Sequence, residues 1–201
     1  MLRRHPGLTD LPLVADWALC KWPVIVRRRM AGDVADGVPA ALPLPPIHGK
    51  RRLAFSFSSG AAVVASPPVL LRDAAHLAPP EWQSVIAALL DLGEAVGVTP
   101  RVFGALLWER ATGLPYLTAQ SDLDLLWSIS DERIAASLVE GLLRLDARGT
   151  VRLDGELELP DGAAVNWREL ANQGRELLVK TMDGVEVRTR AALFCPPVSL
   201  S

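Results

Sequence analysis

Apolar and polar residues alternate through Asp122-Leu123-Asp124-Leu125 and run on into Leu126-Trp127. This is the period-two pattern of a half-buried strand, with both acids on one face and Leu123 and Leu125 on the other. Ahead of it, Arg101-Val102-Phe103 reads as a strand ending at Gly104, and Ala105 to Thr112 as a helix with Gly113 as its C-cap. Trp82, Val85, Ile86, Leu89, Leu90 and Leu92 recur at helical spacing, so Glu81 to Val96 is predicted as a helix entered from Pro79-Pro80 and stopped near Gly97. Asp131 to Leu145 is a second amphipathic helix, capped by Ser130 or Asp131. Arg152 to Leu159 and Ala163 to Trp167 form a hairpin about Pro160-Asp161-Gly162. Trp167 to Leu178 is predicted as helix and Val185 to Phe194 as a last strand, with a loose tail from Cys195.

The first third has a different texture. Residues 1 to 16 read as an irregular entry, and Trp17 to Arg28 contains the β-branched run of a buried strand, Val24-Ile25-Val26. Ala31 to Pro46 is loop-like, rich in proline and glycine. Leu53 to Ser58 and Ala61 to Ala65 suggest a hairpin turning at Ser59-Gly60. The expected fold class is α+β, with a small β-rich N-terminal domain followed by a mixed-sheet domain. The boundary falls near residues 72 to 79, giving domains 1–75 and 76–201.

Composition narrows the picture. Half of the 201 residues are hydrophobic and the formal net charge is -2, which excludes a disordered chain and a general nucleic-acid binder. Cys20 and Cys195 are far apart and outside any metal-ligand spacing, so two buried or incidental thiols are expected rather than a disulfide or a zinc site. The N-terminus has no continuous apolar signal core, and no stretch approaches about 20 unbroken apolar residues. A cytoplasmic, soluble protein without membrane or nucleic-acid partners is the expectation.

The chemistry gathers around the two acids. Residues i and i+2 of a strand lie roughly 7 Å apart on one face. Two carboxylates there repel unless a cation lies between them, and oxygen-only ligands favour Mg²⁺ or Mn²⁺. Gly104 and Ala105 open a helix whose free N–H groups can receive phosphate. Arg27-Arg28-Arg29 and Lys50-Arg51-Arg52 read equally as solvated loops or as a cradle for several phosphates, with Arg28, Lys50 and Arg51 as candidates. Lys180 is expected to be a surface residue, and His5, His48 and His76 lack partner acids at a telling spacing. No Gly-x-Ser-x-Gly, Walker A or Gly-x-Gly-x-x-Gly motif occurs.

Gly104 followed by Asp122-Leu123-Asp124 resembles the signature of the nucleotidyltransferase superfamily, a Gly-Ser turn and then Asp-x-Asp, with Ala105 in place of the serine. The longer string FGALLWERATGLPYLTAQSDLDLL resembles the malonate decarboxylase holo-[acyl-carrier-protein] synthases, also called phosphoribosyl-dephospho-CoA transferases. GKRR at Gly49 to Arg52, VIVRR at Val24 to Arg28, and Trp167-Arg168-Glu169 resemble further stretches of that family, which makes Arg168 a candidate phosphate ligand.

The resemblance implies a nucleotidyltransferase-like second domain and a third metal carboxylate from a neighbouring strand. Asp154, Glu156 and Glu158 share one face there, and Glu156 is narrowly preferred over Asp154. It also implies transfer of the 2'-(5''-phosphoribosyl)-3'-dephospho-CoA group from its triphosphate precursor to a serine of the apo acyl-carrier subunit of malonate decarboxylase. Pyrophosphate leaves. Asp122, Asp124 and Glu156 would then be metal ligands and catalytic residues. The open alternatives are an ATP-dependent nucleotidyltransferase acting on another molecule and a non-catalytic nucleotide- or carrier-binding domain.

Overall fold

A computed structural model of the chain describes residues 12–30, 32–58, 60, 65–172 and 174–194. Helix α1 (Pro12–Trp17) leads into a three-stranded antiparallel sheet, β1 (Ile25–Val26), β2 (Gly37–Pro43) and β3 (Arg52–Ser58), in the order β1-β2-β3. Beyond it come α2 (Leu71–Ala74), α3 (Gln83–Val96), β4 (Arg101–Val102), α4 (Gly104–Thr112) and β5 (Leu123–Ser128). The chain continues through α5 (Glu132–Asp146), β6 (Leu153–Glu158), β7 (Ala164–Asn166), α6 (Trp167–Ala171), β8 (Glu176–Lys180) and β9 (Val185–Thr189). The six later strands form a mixed sheet in sequence order, in which only β5 and β6 run parallel. The α+β expectation agrees with this architecture.

One face of the six-stranded sheet makes the larger core. Leu123, Leu125 and Trp127 of β5 point into it, as do Leu157, Val165 and Val179 from the neighbouring strands. Val85, Ile86 and Leu89 of α3 and Leu138, Leu142 and Leu145 of α5 complete it. The two helices approach closely where Gly141 of α5 meets Leu92 of α3; a Cβ at 141 would lie 2.4 Å from a Leu92 methyl. The opposite sheet face stays open, carrying Asp124, Leu126, Asp154, Glu156, Glu158, Leu178 and Lys180 half-buried or exposed.

The smaller core lies between the N-terminal sheet and α4. Ala40, Leu42, Leu53, Phe55 and Phe57 pack with Val14 and Trp17 of α1 and with Trp108 and Tyr116. The Tyr116 hydroxyl donates to the Pro43 carbonyl at 2.7 Å in a buried contact. Among the described residues, no helix is long and apolar enough to cross a membrane.

Four local expectations need correction. The loop expected over 31–46 contains β2, the middle strand of its sheet. Its prolines are tolerated by parity. The Pro39 carbonyl accepts the Arg27 N–H at 3.0 Å, so residues 39, 41 and 43 face the short β1, and the N–H groups of Val38, Ala40 and Leu42 are left for β3. β2 pairs in turn with β3, and the expected hairpin partner of β3 across Ser59-Gly60 falls on residues of which 61–64 lie outside the described residues.

The helix expected to Leu178 ends at Ala171, and Glu176–Lys180 is a strand. Leu177 and Val179 are buried while Glu176, Leu178 and Lys180 are exposed, a period of two that outranks local helix propensity. Helix α1 lies within the stretch expected to be irregular, and the strand expected in Trp17–Arg28 shrinks to Ile25–Val26. The expected loose tail from Cys195 lies outside the described residues; Cys20 is an exposed free thiol.

Candidate active site

The site is built on β5. Because Leu123, Leu125 and Trp127 sink into the core, Asp124 must emerge on the open face, with Asp122 two residues earlier on the same side. Helix α4 starts directly against Asp124. Gly104 has φ +61, and a Cβ there would fall 1.8 Å from Asp124 Oδ2. Only glycine accommodates both the left-handed backbone and that approach. The Ala105 N–H donates to the Asp124 carboxylate, which thereby closes the positive end of α4.

Parallel pairing then sets a third acid beside the first two. The Leu123 N–H donates to the Arg152 carbonyl at 3.0 Å, and Asp124 stands in register with Asp154. Gly155, at φ +151, makes this possible: a Cβ there would lie 2.1 Å from the Leu125 carbonyl oxygen. Asp154 Oδ1 accepts from the Gly155 N–H at 2.8 Å and from Asn166 Nδ2 at 3.1 Å. Asp122 Oδ2 faces an Arg152 guanidinium nitrogen at 3.2 Å.

The electrostatics record the crowding. Burial, then the charges of Asp154 and Asp122, push the Asp124 carboxyl up to about 6, against the opposing effects of the Ala105 N–H and Arg152. Among the described residues, no three His, Cys, Asp or Glu side chains are gathered tightly enough to form a ready metal shell. The reason is visible: each aspartate has its own donor. Asp122 turns to Arg152, Asp124 to α4, and Asp154 to Asn166. An oxygen-only donor set under mutual repulsion nonetheless fits a hard divalent cation, which would relieve the repulsion.

Glu156, preferred from the sequence, is drawn elsewhere. It stands in register with Leu126 and its carboxylate pairs with Lys180. Glu158 accepts from Ser128 at 2.5 Å and from Arg101 at 2.6 Å; the Ser128 hydroxyl above all holds its carboxyl below the usual range. The acid that joins Asp122 and Asp124 is Asp154.

Two family models cover the chain. The description phosphoribosyl-dephospho-CoA transferase MdcG C-terminal domain matches residues 70–191, and the corresponding N-terminal domain matches residues 3–68. The chain belongs to this transferase family. A phosphoribosyl-dephospho-CoA transferase of Xanthomonas campestris pv. campestris (strain 8004) is 39% identical over 183 residues, spanning 91% of this chain and 86% of the relative. A protein of the same name from Bradyrhizobium diazoefficiens is 40% identical over 191 residues, 94% of this chain and 84% of the relative. No solved structure matches.

Within this transferase the candidate phosphate ligands have varied fates. Arg168 forks onto both oxygens of Asp146 at 2.8 Å, donates to the Leu153 carbonyl at 2.8 Å, and lies 4.3 Å over the Trp167 ring. It ties the end of α5 to the start of β6. Arg28 donates to the Gly184 carbonyl at 3.0 Å, linking the N-terminal segment to the β8–β9 turn. Its neighbours are also engaged, Arg27 with Asp33 and Arg29 with the carbonyls of Val34 and Gly37. Lys50 and Arg51 are exposed on the turn between β2 and β3, in the other sheet from the aspartates.

Sequence reading missed Arg152 and Asn166. Asn166 has a legible signal, an asparagine directly before Trp167-Arg168-Glu169, where it caps α6 by accepting the Arg168 N–H at 2.9 Å. Its second role, holding Asp154, follows only from the β6–β7 pairing. Arg152 has no such signal, because its position beside Asp122 depends on the register of β5 against β6.

Proposed function

We propose that this transferase moves the 2'-(5''-phosphoribosyl)-3'-dephospho-CoA group from its triphosphate precursor to a serine of the apo acyl-carrier subunit of malonate decarboxylase. The serine oxygen forms a bond to the α-phosphorus, the bond from that phosphorus to the bridging oxygen of the β-phosphate breaks, and pyrophosphate departs. The serine proton passes to a neighbouring carboxylate or to water. The observation that carries this reading is the convergence of Asp122, Asp124 and Asp154 at the N-terminus of α4 in a member of this family.

The three aspartates are the residues that would hold Mg²⁺ or Mn²⁺. When bound, such a cation neutralises charge on the triphosphate and makes the α-phosphorus a better electrophile. The chain's own contribution is positional. Gly104 lets the helix begin beside Asp124, and Asn166 fixes the Asp154 carboxylate. The N–H groups in the first turn of α4 would supply partial positive charge for phosphate oxygens. Ala105 contributes through its backbone only, since it has no hydroxyl.

Intact mass spectrometry of the apo carrier subunit, incubated with the transferase, Mg²⁺ and the precursor, tests this directly. The expected result is a mass gain equal to the phosphoribosyl-dephospho-CoA group, lost in Asp122→Asn and Asp124→Asn. Labelling of a protein by ATP with no CoA derivative present would replace this reading with that of a general nucleotidyltransferase.

A further inference from the structure

We propose that Arg152 is a movable counter-charge of the site: it neutralises Asp122 in the free enzyme and pairs with the substrate's triphosphate once a divalent cation takes that carboxylate. This rests on the reading of Asp122 and Asp124 as cation ligands.

The backbone of Arg152 is firmly placed. Its carbonyl accepts the Leu123 N–H at 3.0 Å, so its Cα is anchored next to the strand that carries the acids. Its side chain is not. It is 65% exposed and, among the described residues, makes one ion pair, to Asp122 at 3.2 Å. The other arginines of this region contrast with it. Arg168 has two hydrogen bonds to Asp146, a third to a carbonyl and an aromatic ring beneath it. Arg101 is shared between Ser128 and Glu158. Both are struts. An exposed pair through a long flexible side chain is weakly held and readily exchanged.

The charges give that exchange a direction. Asp122 and Asp154 both lie within electrostatic reach of Asp124, and Arg152 acts on Asp124 as well as on Asp122. A divalent cation entering this cluster competes with the guanidinium for Asp122 and repels it. A triphosphate arriving with the cation brings several anionic oxygens to the same opening. A guanidinium fork matches two such oxygens at once. Arg152 therefore keeps the acids compatible before loading and becomes a substrate ligand afterwards.

Calorimetry on the whole chain tests both halves, with Arg152→Gln and the charge-keeping Arg152→Lys beside the unaltered protein. The probes are Mn²⁺ alone and the preformed manganese complex of inorganic tripolyphosphate. Arg152→Gln is expected to bind Mn²⁺ more tightly, up to about fivefold, the range open to an exposed ion pair. It is expected to bind the tripolyphosphate complex about tenfold more weakly, as for loss of a charge-assisted hydrogen bond. Arg152→Lys lies between. In transfer assays KM for the precursor rises more than kcat falls. Unchanged Mn²⁺ affinity in a variant with an unaltered melting profile removes the counter-charge role, and unchanged tripolyphosphate affinity removes the substrate role. If Asp124→Asn binds Mn²⁺ as well as the unaltered protein does, the underlying cation site is what fails.

Discussion

Gly104 and Asp124 occupy each other's space: a Cβ on residue 104 would lie 1.8 Å from Asp124 Oδ2 and 3.0 Å from Asp124 Cβ. The helix start and the acid are thus one device. The left-handed backbone at Gly104 turns the chain out of β4, and the vacancy left by its missing side chain admits the carboxylate to the end of α4.

Gly104→Ala is therefore expected to damage stability and activity together. Placing alanine in the left-handed region costs about 1–2 kcal/mol, and the displaced carboxylate adds to that. Urea unfolding should show the loss, and transfer activity measured well below the unfolding midpoint should fall further than stability alone explains. A variant with full activity would show that Asp124 does not need this position.

The third carboxylate separates by mutation. Asp154→Asn should lower kcat by at least about a hundredfold, comparable to Asp124→Asn, since metal-assisted charge stabilisation supplies several kcal/mol. Glu156→Gln should cost far less, because its carboxylate serves Lys180 on the open sheet face. Single-turnover rates with saturating Mg²⁺ distinguish the two, and the reverse order would return the role to Glu156.

Asp146 and Arg168 set an acid limit on stability. The Arg168 hydrogen bonds, ahead of other causes, hold the Asp146 carboxyl below its ordinary value of 3.8. A carboxylate depressed on folding contributes stability that is fully present above the unfolded-state value and is lost as pH falls through the folded-state value. Arg168→Ala should cost about 1–2 kcal/mol at neutral pH, a charged hydrogen bond discounted for partial exposure. That difference should shrink steadily below about pH 4. Guanidinium unfolding at pH 7 and pH 3 measures it.

Tyr116→Phe examines the seam between the N-terminal sheet and α4. Its hydroxyl satisfies the Pro43 carbonyl in the smaller core, and burial raises its own ionisation to about 12. Removing the donor leaves that carbonyl unpaired, at about 1–3 kcal/mol. Differential scanning calorimetry should show a lower melting temperature with little change in KM for the precursor.

Much of the site was legible because its signals are local. Alternation fixes which face of β5 carries the acids, and Leu123 and Leu125 are fully buried opposite them. Gly104 and Gly113 bracket α4 as their conformational freedom requires, at φ +61 and +71. Helix α5 begins at the expected cap, where Asp131 accepts the Ile134 N–H at 2.9 Å. The missed elements are those in which a nonlocal partner overrules local composition. β2 is a strand despite two prolines because β1 is too short to need their N–H groups, and β8 is a strand because β7 and β9 flank it.

The sequence by itself determined the strand, the glycine turn, the helix and the paired acids, since each depends on residues within a few positions of one another. It also placed Asp154, Glu156 and Glu158 on one face. Which of these meets Asp124 was decided only by the register of β5 against β6, where a shift of two residues exchanges Asp154 for Glu156. The same pairing set Arg152 beside Asp122. Register depends on backbone hydrogen bonds and core packing summed over the whole sheet, and no local stretch of sequence carries that sum.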